Sequence, residues 1–185
     1  MSTSLANHFL IAMPSMKDNN FDRSVIYLCE HHVQGSVGLI VNQPMEFSLQ
    51  LVFDQLKITS KFPEKNQAPL LFGGPNQPER GFVVHRPMGK WRSSLFLRDD
   101  VTVTTSNDII RAMANNKGPK DALVTLGFAG WNSEQLEKEI MDNSWLVCPF
   151  NDELLYDVPF AERWEYAGKL LGININELSP YTGHA

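Results

Sequence analysis

The sequence predicts an α+β fold built on a largely antiparallel β-sheet, and three observations favour this class. Short β-like runs punctuated by turn residues dominate the first half of the chain. Helical segments are fewer, and they do not alternate strictly with strands as they do in a doubly wound fold. The segment HVQGS at 32–36 places a glycine-containing turn between two strand-like runs, which is typical of an antiparallel hairpin. The length of 185 residues fits a single domain, 1–185.

Seven segments carry the strand signal, which is a run of apolar and β-branched residues bounded by turn-forming residues. The predicted strands are 9–13, 24–29, 36–42, 70–73, 81–85, 95–98 and 101–104. The second and third of these runs flank the hairpin turn, so we expect them to pair with each other.

Helical periodicity first appears after the third strand. Ser48 is placed to cap a segment in which apolar residues recur at positions 49, 52, 53 and 56. Ser106 opens a second helix, with Asp108 in its first turn and the pair Gly118-Pro119 at its end. Between these helices, 57–70 has no clear periodicity, and we expect a loop there that could act as a mobile flap.

Two further helices are predicted in the last third of the chain. The third runs over 133–141, where Asn132 and Gln135 stand three apart in a variant of the capping box. The fourth begins after Pro159 and ends at Gly172, with apolar residues at 160, 164, 167 and 171. The closing tail, which carries Tyr181 and His184, is a candidate for docking on the fold.

The composition is that of an ordinary globular protein, with 43% hydrophobic and 20% charged residues and a formal net charge of -5. Because an acidic surface repels phosphate backbones, nucleic-acid binding would require a local basic patch. The densest basic stretch is dispersed, as on solvated strands and turns. It consists of Arg86, Lys90, Arg92 and Arg98. We therefore expect no direct binding of nucleic acid.

The N-terminal segment lacks a basic n-region, and its apolar core FLIAM is shorter than the h-region of a signal peptide. No apolar run approaches the roughly eighteen residues of a transmembrane helix. Cys29 and Cys148 are too far apart for a CxxC redox or zinc motif, and we expect both to be buried and reduced. These features predict a cytoplasmic protein without a membrane segment.

The residue types of a serine-hydrolase triad are present, with Ser24 as the nucleophile. The candidate bases are His31, His32 and His85, and the candidate carboxylates are Asp18 and Asp22. The context argues against this reading because no G-x-S-x-G elbow surrounds the serine. Ser24 also opens a predicted strand, where a hydroxyl usually bonds to the backbone.

A metal site has candidate ligands but poor spacing. The possible ligands are Cys29, Glu30, His31, His32 and His85. Adjacent histidines on an extended chain point to opposite faces, so one ion would rarely bind both His31 and His32. The favoured interpretation is a histidine at a strand end that bonds to a carbonyl, and we expect neither a metal nor another cofactor.

Two glycine- and tryptophan-containing segments stand out. Gly73 and Gly74 follow a strand, as in a phosphate cradle, but Pro75 removes a backbone donor, which favours a sharp turn with close backbone packing. Trp131 and Trp145 flank the third helix and could line a ligand groove, although aromatic residues of this kind more often fill a core.

Four blocks together resemble the YqgE/AlgH family of bacterial proteins. They are FLIAMPSMKDNNFDRSVIYLCEHHVQGSVGLIVNQP, LFGGPNQPERGFVVH, LVTLGFAGWNSEQLEKEIMDNSWL and LGININELSPYTGHA. The family usually has glycine at the position of Glu134. The resemblance implies a compact α+β domain with a bent, partly barrel-like β-sheet and flanking helices. About function the resemblance implies little: a regulatory role is proposed for the family, and no reaction, cofactor or catalytic residue is implied.

The leading hypothesis is a cytosolic, non-enzymatic binding or regulatory protein that acts through a groove where the special turns converge. The predicted groove residues are Asp18, Phe21, Arg23, Ser24, His31, Gly73, Gly74, Pro75, Trp131 and Gln135. We expect a protein or small-molecule partner and a monomer or weak homodimer. The alternative is a hydrolase that uses Ser24 with a nearby histidine and aspartate.

Overall fold

A computed structural model describes residues 3–178, and in this range the chain forms ten β-strands and six α-helices. The strands are β1 (Phe9–Ala12), β2 (Val25–His32), β3 (Gly35–Ile40), β4 (Pro44–Ser48), β5 (Pro69–Phe72), β6 (Asn76–Arg86), β7 (Ser94–Phe96), β8 (Thr102–Thr104), β9 (Asp121–Asn132) and β10 (Trp145–Cys148). The helices are α1 (Leu49–Gln55), α2 (Pro63–Asn66), α3 (Asn107–Ala114), α4 (Gln135–Met141), α5 (Asp152–Tyr156) and α6 (Arg163–Leu170). The predicted docking of the tail at 181–185 lies outside the described residues.

The strands form one curled, half-barrel sheet in the order β10-β1-β2-β3-β9-β6-β8-β7. All pairings along this path are antiparallel, whereas β5 joins β9 in parallel and carries β4 on its other side. The long strand β9 organises the sheet because it pairs with β3 near its end, with β5 near its start, and with β6 along its other edge. The predicted α+β class and the partly barrel-like sheet are confirmed.

The predicted hairpin joins β2 and β3, with His32 paired to Gly35 across the turn. Gly35 has a φ of +148°, and a Cβ at this position would lie 2.4 Å from the Trp131 carbonyl oxygen. Only glycine therefore fits where the hairpin passes the end of β9.

Three hydrophobic clusters cover the two faces of the sheet. The first draws side chains from most strands and is closed by α5 and α6, for example by Leu154 and Trp164, so it fills the interior of the half-barrel. The second lies outside β1–β3 under α4, and the third lies under α1 and α3. The flanking helices thus divide between the interior and the exterior of the curl. None of the helices in the described part of the chain has the length and hydrophobicity required to cross a bilayer.

All seven predicted strands are present, but β4, β9 and β10 were not predicted. β9 is buried on both faces at residues 123–125. Burial alternates over 126–132, but Gly127 and Gly130 interrupt the run of apolar and β-branched residues that signals a strand. β4 is largely exposed; Met45 and Phe47 alternate with polar residues, but the strand has only five residues and begins with a proline, which weakens the strand signal. The segment 57–70 also differs from the prediction of a loop, because it contains α2 and the Ser60 hydroxyl donates to the Ala114 carbonyl at 2.9 Å.

All four predicted helices form, with corrected ends. Neither Ser48 nor Ser106 caps its helix with its side chain; the Ser106 hydroxyl instead donates to Asp108 at 2.6 Å. Half of the predicted capping box is present, since the Gln135 amide oxygen accepts from the Asn132 N–H at 2.9 Å. A short 3₁₀ turn precedes α6, and α5, which follows an Asn151 cap, was missed.

Candidate functional site

The turn before β2 is held together by its own hydrogen bonds. Asp18 accepts from the Asn20 N–H at 2.9 Å and so caps a 3₁₀ turn that contains Phe21. The Ser24 side chain is fully buried, and its hydroxyl donates to the Phe21 carbonyl at 2.9 Å. Arg23 adopts a left-handed φ of 53° and stacks over the Trp164 ring at 5.1 Å. Because Ser24 is closed to solvent, it is closed to a substrate as well.

Gly73 and Gly74 pack against β9. A Cβ on Gly73 would lie 2.3 Å from the Gly127 carbonyl oxygen, and one on Gly74 would lie 2.1 Å from the Phe128 carbonyl carbon. The Gly73 N–H donates to Leu126 and its carbonyl accepts from Ile40, so the turn bridges β3 and β9. The glycines thus serve the close backbone packing that the sequence favours over a phosphate cradle. Pro75 follows at the surface.

Trp131 is anchored by a carboxylate on α4. The indole N–H groups of Trp131 and Trp145 both donate to Oε2 of Glu139, at 2.7 and 3.0 Å. The Gln135 amide donates to the other oxygen of Glu139 at 3.2 Å. The two tryptophan rings meet edge to face with centroids 6.0 Å apart, and Phe21 packs on Trp145 at 5.7 Å. The structure therefore brings Phe21 and Trp131 to one cluster by packing.

His31 attaches α4 and the N-terminal segment to β2. The Leu5 N–H donates to Nδ1 of His31 at 2.8 Å, so the neutral ring carries its proton on Nε2 and donates it to Glu137 at 2.6 Å. This hydrogen bond lowers the pKa of the Glu137 carboxyl. Local structural contacts thus account for Asp18, Arg23, Gly73 and the Trp131 cluster. The groove that the ten predicted residues would share stays a prediction.

His85, the other candidate base, is buried on a different part of the sheet. Its Nδ1 donates to the Pro87 carbonyl at 3.0 Å, and its Nε2 lies 2.7 Å from the Thr104 hydroxyl. Burial lowers the pKa of His85, which keeps the ring neutral. Within residues 3–178, no three His, Cys, Asp or Glu side chains come together in a group that could hold a metal ion.

An open cleft, which the sequence did not reveal, lies between β2 and β7. Two adjacent cavities of about 370 and 440 Å³ share the lining residues Cys29, Glu30 and Leu95. We call these two cavities together the β2–β7 cleft. The first is lined in addition by Val37, Arg80, Phe82, Ser93, Ser94, Val103, Thr105 and Phe128. The second adds Ser4, Ala6, Asn7, His31, His32, Phe96, Leu97 and Arg98.

The cleft combines an apolar floor with free charge. Arg80 stacks over the Phe82 ring at 5.2 Å, and Leu95 and Phe96 are 40% and 59% exposed. The ion pairs in the described part of the chain join His31 to Glu137 and Arg86 to Asp121 and Asp152, so neither arginine of the cleft has a carboxylate partner there. The exposed apolar pair beside Arg98 in SSLFLRD is the one signal that could have indicated the cleft.

A larger cavity of about 690 Å³ lies between α2 and the loop that follows α3. Its charged lining residues are Glu64 and Lys120, one of each sign. Its lining therefore favours no particular class of ligand. The cleft is the better candidate because an apolar floor, unpaired arginines and a strand edge meet there.

The comparisons with known proteins agree with this architecture. A family model described as AlgH-like (DUF179) matches residues 9–176. A UPF0301 protein of Legionella pneumophila strain Corby is 68% identical over 183 residues, covering 99% of this chain and 98% of that protein. A UPF0301 protein of Saccharophagus degradans is 47% identical over 182 residues, covering 98% and 89%.

Two solved structures share the fold. The solution structure of the AlgH protein from Pseudomonas aeruginosa matches with a TM-score of 0.82 and 42% identity, and the match covers 100% of this chain and 98% of that one. A Corynebacterium diphtheriae protein, DIP2367, matches with a TM-score of 0.68 at 21% identity, covering 91% and 87%, and shows a similarity of fold alone. The family resemblance seen in the sequence is confirmed, and the chain belongs to the AlgH-like family.

Proposed function

We propose that this protein is a non-enzymatic binding protein with a regulatory role in the bacterial cytosol, and that the β2–β7 cleft is its binding site. The observation that carries the proposal is the cleft itself. Arg80 and Arg98 line it without carboxylate partners in the described structure, beside the exposed side chains of Leu95 and Phe96. Exposed apolar side chains beside uncompensated charge are typical of a surface that binds a partner.

The chemistry of the candidate reactive groups supports binding over catalysis. Ser24, on which the hydrolase alternative depends, is buried and donates its proton to a backbone carbonyl. Cys29 reaches the cleft, but burial raises the pKa of its thiol, so the nucleophilic thiolate is disfavoured. His85 bonds through both ring nitrogens. A regulatory role is proposed because a site of this kind can respond to a partner without transforming it.

The cytosolic part of the proposal is supported by the cysteines. Cys29 and Cys148 are both buried and free, as thiols remain in a reducing compartment. The net charge of -5 supports a protein or small-molecule partner over direct contact with nucleic acid.

The proposal is tested by titrating the ¹⁵N-labelled protein with a library of small fragments and mapping the amide shifts by NMR. We expect the shifts to cluster at Glu30, Ser94 and Leu95, and we expect Leu95→Glu to abolish them. The matched control is Met141→Glu, because Met141 is 81% exposed on α4 and outside the cleft. Shifts that cluster at 18–24 and 131–135 instead would place the site in the groove predicted from the sequence.

The hydrolase alternative has its own test. The protein is assayed against a panel of activated esters, and any activity is compared between the wild type and Ser24→Ala. Turnover that is lost in Ser24→Ala, with the fold intact by circular dichroism, would replace the binding hypothesis with the enzymatic one.

A further inference from the structure

We propose that the β2–β7 cleft accepts an extended, acidic segment of a partner protein, which adds to the sheet as a new strand beside β7. This inference rests on the proposed function and names the class of partner. It begins from the position of β7, which ends the strand order of the sheet and pairs only with β8 in residues 3–178. An edge of this kind is a template for another chain.

The hydrogen-bond pattern shows which groups of β7 are free to pair. The Leu97 N–H donates to Val101 at 2.8 Å, and the Ser93 carbonyl accepts from Thr105 at 2.9 Å, so the odd-numbered residues bond towards β8. Because the bonding direction alternates along a strand, Ser94 and Phe96 direct their backbone N–H and C=O groups to the open side. An added strand could therefore form four backbone hydrogen bonds with these two residues.

The shape of the cleft fits an extended chain. Two runs of consecutive residues line its second cavity, 29–32 from β2 and 95–98 from the end of β7 and the two residues after it, together with Ser4, Ala6 and Asn7. Side chains of an inserted strand would alternate between the two sides of β7. On one side they would meet Leu95 and the apolar floor at Val37 and Phe128; on the other they would meet the exposed ring of Phe96.

The charge of the walls selects an acidic partner over a second copy of this chain. Arg80 and Arg98 outnumber Glu30 in the cleft, and no ion pair in the described structure neutralises them. Two β7 strands that paired antiparallel through both Ser94 and Phe96 would be centred on Leu95. That register would place Arg92 of each copy opposite Arg98 of the other, and like charges directly opposite each other destabilise strand pairing.

The test uses two peptides, acetyl-Asp-Val-Glu-Ile-Asp-Val-amide and its analogue in which lysine replaces each acidic residue. Binding to the ¹⁵N-labelled full chain is followed by NMR. We expect the acidic peptide to bind with shifts at the Ser94 and Phe96 amides, and the lysine peptide to bind at least about tenfold more weakly. Equal binding of both peptides, or no binding of the acidic one at about 1 mM, would overturn the proposal.

Phe96→Pro and Phe96→Ala form a matched pair of variants. Both lack the ring, but only proline lacks the edge N–H, and proline is tolerated where that N–H faces away from the sheet. We expect Phe96→Pro to bind the acidic peptide about tenfold more weakly than Phe96→Ala does. Equal affinities would refute strand addition.

A second pair of variants tests the role of charge independently of the edge. Arg98→Gln should weaken binding of the acidic peptide, whereas Arg111→Gln, on the exposed side of α3, should not. Sedimentation of the free protein detects the competing occupant: self-association that Phe96→Pro abolishes would assign the edge to a second copy and overturn the proposal. If small fragments bind the cleft but the acidic peptide does not, the proposed function stands and this inference fails.

Discussion

Replacing Glu139 by alanine is predicted to destabilise the fold strongly, because one carboxylate oxygen holds two buried indoles. Oε2 of Glu139 accepts from Trp131 at 2.7 Å and from Trp145 at 3.0 Å, and the two tryptophan residues are only 6% and 2% exposed. Removal of the acceptor leaves both N–H groups without a partner in a region closed to most water. The two hydrogen bonds also link α4 to β9 and β10, two strands that are far apart in the sheet order.

The magnitude follows from the number and type of bonds. A hydrogen bond to a charged acceptor contributes about 1.5–3 kcal/mol net, so two of them contribute about 3–6 kcal/mol. Glu139 is itself half-buried, so water can partly replace it and the lower end applies. We therefore expect Glu139→Ala to lower the free energy of unfolding by about 3 kcal/mol. Glu139→Gln keeps an oxygen with two lone pairs and should cost only about 1 kcal/mol, the loss of charge assistance.

The assay is urea unfolding followed by far-ultraviolet circular dichroism, with tryptophan fluorescence to report the indoles. Glu64→Ala is the control, because Glu64 is exposed on α2, and it should shift stability by less than about 0.5 kcal/mol. The reasoning is refuted if Glu139→Ala is as mild as the control. It is also refuted if Glu139→Gln is as damaging as Glu139→Ala, since the shared-acceptor geometry would then contribute nothing.

Three other perturbations have defined outcomes. Glu134 precedes α4 with a φ of 65°, a left-handed conformation that suits glycine. Glu134→Gly should therefore raise the free energy of unfolding by about 0.5–1 kcal/mol in a urea titration. Gly73→Ala should destabilise by more than about 2 kcal/mol because its Cβ would meet the backbone of β9. Gly81→Ala should not, because its Cβ would make only an ordinary contact with Leu126 at 3.9 Å; thermal unfolding separates the two variants. His85 is held neutral with a lowered pKa, so the unfolded chain binds more protons below about pH 6.5 and stability should fall as the pH falls through that range. His85→Gln should reduce the fall in the free energy of unfolding between pH 8 and pH 5, measured from unfolding curves at each pH. If the pH dependence is the same in the variant and the wild type, His85 is not its source.

The local signals in the sequence were sufficient for most of the secondary structure. The hairpin turn at Gly35, the strand runs of the first half and the apolar stripes of α1 and α3 depend on neighbours within a few residues, so their patterns survive in one dimension. β9 was missed because burial on both faces removes the alternation at 123–125 and glycines interrupt the apolar pattern that follows. β4 was missed because a strand of five residues that begins with proline offers only Met45 and Phe47 as an alternating pair. The roles of Ser24 and Trp131 were ambiguous for a related reason. The residue type does not show whether a hydroxyl or an indole lines a groove or is hydrogen-bonded in the core.

The sequence by itself determined the fold class, the family and the residues capable of chemistry. Only the tertiary structure decided which strand forms an open edge, since β3 pairs with β9 and β6 lies between β9 and β8, pairings that join segments far apart in the chain. The cleft arises where the curled sheet brings the end of β2 opposite β7, so no single segment carries its pattern. Local preferences act between near neighbours, whereas strand order and curvature are set by packing the three clusters at once.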